Sequence, residues 1–114
     1  MHLVRYEDAP GYEAPGHQGM AMRRLQGREA GPGDSVWLGL SVLEPGGGTT
    51  LSASGAEKFY VLIEGEVEVT AEQDGVRSSV LLGPLDSCRI APHEARQLRN
   101  RGTTPAKLLL VMPA

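Results

Sequence analysis

At 114 residues the chain is sized for one domain around a single hydrophobic core, and 40% hydrophobic against 22% charged residues is ordinary globular usage that excludes wholesale disorder. Eleven basic against fourteen acidic side chains give a formal charge of −3, with no basic cluster beyond Arg23-Arg24, so nucleic acid and anionic membrane are excluded as expected partners. Cys88 is the only cysteine, which rules out an intrachain disulfide and a cysteine-rich zinc site.

No apolar run approaches the roughly 18 residues of a membrane span. The opening MHLVRYEDAPGYEAPG lacks the layout of a signal peptide, so a cytoplasmic location is the expectation.

Residues 1–19, rich in Pro, Gly and charge, read as an N-terminal arm with one short edge strand at Leu3 to Tyr6; residues 20–114 read as the folded body. Met20 to Leu25 is a strand ending at Gly27, and Gly31 to Asp34 is a turn. Val36, Leu38, Leu40 and Val42 then alternate with Trp37, Gly39 and Ser41, the period of two expected of a strand, which Pro45 to Gly48 closes. Phe59 to Ile63 and Glu66 to Val69 flank Glu64-Gly65 and read as a hairpin. Asp74-Gly75 joins Val67–Glu72 to Val76–Leu82 in a second hairpin. Ser87 to Ile90, Ala95 to Arg99 and Ala106 to Met112 follow as strands, and no window carries an apolar stripe at helical spacing. Fifteen glycines and eight prolines thus punctuate about eight to ten short strands. The fold class is all-β, a sandwich or barrel.

Two segments sharpen this. Pro45 to Val69 (PGGGTTLSASGAEKFYVLIEGEVEV) and Leu82 to Asn100 (LGPLDSCRIAPHEARQLRN) resemble the two sequence motifs of the cupin family, in order, spacing and turns. The resemblance covers about half the chain and implies a small double-stranded β-helix, or jelly-roll, barrel. In cupins two histidines spaced H-x-H, a later glutamate and a second-motif histidine hold a metal. Here the H-x-H pair falls on Ser52 and Ser54, the glutamate on Lys58 (with Glu57 one place earlier) and the last histidine on Arg96. Hydroxyls are weak ligands, and protonated lysine and arginine offer a cation no lone pair. The expectation is therefore no metal and no cofactor.

In the strand phase that the resemblance turns into the barrel, Ser52, Ser54, Lys58, Tyr60 and Arg96 come together, with Glu57 beside them. Arginine offers a planar fork for carboxylate or phosphate, and lysine a point charge, so this set is expected to bind a small organic anion. The bland alternative pairs Arg96 and Lys58 with Glu57, Glu94 or Asp86. If Lys58 is buried without a partner, it becomes a candidate base or Schiff-base former. A rebuilt two-histidine, one-carboxylate site from His17, His93 and Glu57 is a further alternative, against which both histidines read as solvated loop residues. A β-bulge before Phe59 would instead turn Glu57 inward and Lys58 outward. Cys88 reads as a small buried residue and Trp37 as barrel packing or a stacking wall of the pocket.

Three function classes follow: a metal-independent binding cupin; an enzyme, either an isomerase or lyase using Lys58, Tyr60 or Glu57 or a dioxygenase-like protein with a relocated metal; and a packed structural dimer. Cupins of this size commonly pair through edge strands and an exchanged N-terminal segment, so a homodimer is expected from the resemblance and from the need to cover strand edges.

Overall fold

The computed structural model describes residues 1–114. Ten strands follow in chain order: β1 Gly11–Tyr12, β2 His17–Gln26, β3 Val36–Thr49, β4 Ser52–Ala53, β5 Lys58–Glu64, β6 Val67–Gln73, β7 Val76–Leu82, β8 Ser87–Ile90, β9 Ala95–Arg99 and β10 Ala106–Pro113. The only helical pieces are two three-residue 3-10 turns, and no helix is long and apolar enough to cross a membrane. All pairings are antiparallel, and the main path runs β7-β6-β9-β3-β10-β5-β8, with β2 against β3, β1 on β2 and β4 on β9. This is the nearly closed all-β jelly-roll that the sequence led us to expect.

The run around Glu64-Gly65 departs from expectation. β5 and β6 are not hairpin partners: β5 pairs with β10 and β8, and β6 with β7 and β9. Gly65, at φ 82°, redirects the chain between the two sides of the barrel, and a Cβ there would lie 3.0 Å from the Ala106 Cα. The Asp74-Gly75 hairpin does form, from Val67↔Leu82 to Gln73↔Val76.

The triple glycine also differs from its reading as a closing turn, because β3 runs through it to Thr49. Its first part pairs with β10 (Leu43↔Ala106), at its last glycine it reaches β9 (Gly48↔Arg99), and β2 lies along both parts, from Gln26↔Leu38 to His17↔Thr49. Close approach explains the glycines. A Cβ on Gly48 would sit 2.0 Å from the Leu98 carbonyl oxygen, and one on Gly47 2.3 Å from that of Gly19.

At the other end of the chain, Leu3 to Tyr6 forms no strand. The arm instead docks through β1 and through a 2.8 Å hydrogen bond between the His2 Nε2 and the Ala30 carbonyl. β2 starts at His17, inside the stretch read as arm.

Burial alternates as a half-buried sheet requires. In β5, Lys58, Tyr60 and Leu62 are buried while Phe59 and Ile63 are exposed. Leu43, Leu62, Val67, Val69, Leu98 and Leu108, each at most 3% exposed, close the barrel interior at one end. Lys58 and Arg96, of the same inward phase, fall at the other end, where the cavity lies.

Candidate functional site

A cavity of about 520 Å3 opens at that end. The segment before and at the start of β2 supplies Tyr12, Glu13, Pro15 and His17; β2 and β3 supply Arg24 and Trp37. Ser52, Ser54, Lys58 and Arg96 form the polar wall, and Leu110 and Met112 of β10 the apolar one. A barrel packed shut by its own side chains is therefore not what this sequence builds.

Arg96 is 6% exposed, in the inward phase of β9. Its Nε donates to the Tyr60 hydroxyl at 2.9 Å, and one Nη to Thr49 Oγ1 at 3.2 Å and Ser52 Oγ at 3.4 Å. Its Nη2 donates to no protein group, and because no buried polar side-chain atom lacks a partner, that nitrogen is open to the cavity. Tyr60, 2% exposed, stands behind the guanidinium rather than on the cavity surface, and burial raises its phenol pKa above the ordinary value.

Lys58 is 6% exposed, and its Nζ donates to Ser54 Oγ at 2.7 Å. Desolvation, and then the nearby Arg96 charge, hold its pKa below the usual lysine value. Neither Lys58 nor Arg96 enters an ion pair. The three carboxylates that the bland alternative paired with them are engaged elsewhere. Glu57 bonds Arg89, Glu94 accepts from the Ala91 amide, and Asp86 accepts from the Gly83 amide.

Of the expected site residues, Ser52, Ser54, Lys58 and Arg96 line the cavity together and Tyr60 supports Arg96. Glu57 does not join them. No bulge precedes Phe59, since Lys58 pairs with Ile90 and Phe59 with Arg89 in continuous register. Strand alternation therefore turns Glu57 outward, where it borders a separate shallow pocket with Val36 and Phe59.

His17 is a correction in the other direction. Read as a solvated loop residue, it lies in β2 on the cavity wall, with Nδ1 donating to the Pro15 carbonyl at 2.9 Å. Burial lowers its pKa, as does the Arg96 charge. His93 stays in an exposed turn at φ 69°. The rebuilt site from His17, His93 and Glu57 does not assemble, and no three His, Cys, Asp or Glu side chains gather anywhere in the fold. The side chains at the positions a cupin metal would need, two hydroxyls and two cationic groups, do not fit a divalent ion.

Sequence reasoning missed Arg24, Tyr12, Glu13 and the β10 pair. The Arg24 guanidinium lies 3.6 Å from the Tyr12 ring centroid and 4.2 Å from that of Trp37, with Glu29 at 2.9 Å. The two rings meet edge to face at 5.8 Å, so Trp37 is both packing and wall. Residues 108–112 are apolar throughout, so the sequence carried no alternation to tell the cavity-facing Leu110 and Met112 from their neighbours. Nothing local marked Arg24.

An all-β barrel with a polar-lined cavity at one end defines the class. Residues 39–112 match the cupin domain, and the chain belongs to the cupin family. A Mycobacterium tuberculosis protein named beta-D-galactosidase is 42% identical over 112 residues, covering 98% of this chain and 93% of that protein. The polyketide cyclase RemF of Streptomyces resistomycificus superposes with a TM-score of 0.82 at 22% identity, over 99% of this chain and 79% of the cyclase. A predicted oxalate decarboxylase of Thermotoga maritima gives 0.79 at 22% identity, over 97% of both chains. At these identities the two structures share the fold.

Proposed function

We propose that this cupin binds a small organic anion, a carboxylate or a phosphate ester, in the barrel cavity without a metal. The observation that carries the reading is Arg96, a buried guanidinium held by three hydroxyls, free of any carboxylate, with one nitrogen open to the cavity. A buried cation with neutral partners retains its field, and an anion arriving there gains a charge-assisted hydrogen bond in a poorly solvated place. Arg24 does not compete, because Glu29 and two aromatic faces already occupy it. Leu110, Met112 and Pro15 supply an apolar wall for the remainder of the ligand.

The name of the 42% identical relative favours a second reading, cleavage of a β-galactoside. Glycoside hydrolysis ordinarily uses two carboxyl groups about 5 to 10 Å apart, and the cavity lining holds one, Glu13. We therefore rank it second.

Calorimetric titration with a panel of small carboxylates and sugar phosphates tests the first reading. Wild type should bind one class, and Arg96→Met should weaken it at least about tenfold, the equivalent of one lost hydrogen bond to a charge. Unchanged affinity in that variant would remove Arg96 from the argument. Hydrolysis of a nitrophenyl β-galactoside without anion binding would promote the second reading.

A further inference from the structure

Two basic side chains share one polar wall of the cavity, and the structure gives them different roles. We propose that Lys58 is a covalent, imine-forming amine for a 2-oxo acid whose carboxylate is held by Arg96. The inference rests on the anion-binding reading above and names the substrate class for the same site.

The geometry comes from a short piece of chain. Ser52, paired with Arg96 across β4 and β9, touches the guanidinium, and Ser54, two residues on, accepts from the Lys58 amine. The two cationic groups therefore stand on one wall of the cavity beside neighbouring hydroxyls, and a compact molecule carrying adjacent carboxylate and ketone groups can present one to each. A sugar phosphate would instead engage both groups by charge alone and form no bond to the Lys58 nitrogen.

The environment favours the nucleophile as well as the position. A lysine becomes reactive when desolvated or placed beside another cation, because both disfavour the protonated form. Lys58 has both: it is 6% exposed, and its pKa is lowered by burial and by the Arg96 charge. Its one partner, the Ser54 hydroxyl, can accept from the amine and also donate to a carbonyl oxygen.

The step balances without an added reagent. The neutral Nζ lone pair attacks the ketone carbon, a C–N bond forms, and the carbinolamine oxygen departs as water with both amine hydrogens. The imine then takes one proton from solvent to become an iminium ion conjugated to the carboxylate.

The chain carries an internal control. Its other lysine, Lys107, is exposed on β10 and paired with Glu64 at 3.5 Å. The test incubates the full chain with pyruvate or phenylpyruvate and sodium borohydride, which reduces an iminium to a stable secondary amine, and maps the adduct by peptide mass spectrometry. Titration with lactate, which has the carboxylate but no ketone, reports anion binding separately.

The expected result is an adduct on Lys58 forming at least about tenfold faster than on Lys107, because Arg96 holds the 2-oxo acid beside the Lys58 amine. It should be absent in Lys58→Arg. Lactate binding with no Lys58 adduct, or with labelling no faster than at Lys107, overturns the covalent proposal and leaves the anion reading standing. Neither binding nor adduct overturns the covalent proposal and confines the anion reading to phosphate esters. Because the comparison of the two lysines is made within wild type, it holds even if the variant fails to fold.

Discussion

His17 shows how little a residue type says before its neighbours are placed. As a sequence feature it is a polar residue in a glycine-rich arm. In the fold it is half-buried beside a cationic wall, and its pKa falls below the ordinary value of 6.5, first because of burial and then because of Arg96. The unfolded chain therefore binds more protons than the native one in the window from the lowered pKa up to 6.5. Stability then rises with pH through that window, levels off above it, and is lost on acidification. Urea midpoints measured from about pH 5 to 7.5 should show that rise, and His17→Gln should flatten it. An unchanged slope in the variant would assign the acid sensitivity to another group. Lys58 and Arg96 were legible at the same scale, because the cupin motif frame placed them. Glu57 was grouped with them on adjacency in sequence, and strand alternation sent it to the other face.

Among the elements, β3 carries the largest difference between reading and fold. A proline and three glycines look like a stop, yet β3 passes from β10 to β9 through them while β2 stays paired along it, because a strand can pass so close to another backbone only where side chains are missing. Gly48→Ala should therefore cost about 1 to 3 kcal/mol by overpacking against the Leu98 carbonyl. Gly46→Ala, at φ 81° with open space around its Cβ, should cost less, about 1 kcal/mol of backbone strain. Guanidinium unfolding of the two variants checks the order. Equal losses would mean that conformation rather than contact selects the glycines.

At the scale of the whole molecule, the outer face of β3, β10 and β5 is unusual. Leu40, Leu109 and Val61 lie side by side in register, as do Leu38, Val111 and Phe59, with Val36 and Ile63 at the margins. Val36, Phe59 and Ile63 are each more than 40% exposed. Directly opposed residues on neighbouring strands share a face, so this is one contiguous apolar surface of the sort that a second copy covers. We propose that the homodimer expected from the family resemblance pairs through this face. Within one chain the arm lies on β2. Light scattering should give about twice 12.2 kDa, and Val61→Glu with Leu109→Asp should halve it. A wild-type mass of 12.2 kDa would refute the pairing.

Taken by itself, the sequence determined the strand segments from Val76 onward, the Asp74-Gly75 hairpin, the all-β class and the family, because alternation and turn chemistry are local. The phase of Lys58, Tyr60 and Arg96 came with the family frame. Only the tertiary structure decided that β5 and β6 part company at Gly65, since a turn residue says that the chain redirects and not which strand it meets next. It alone placed His17, Arg24 and Trp37 beside residues far along the chain. It also left Arg96 and Lys58 without carboxylates, because pairing depends on which acids reach the same side of a sheet, and Glu57, Glu94 and Asp86 are committed elsewhere.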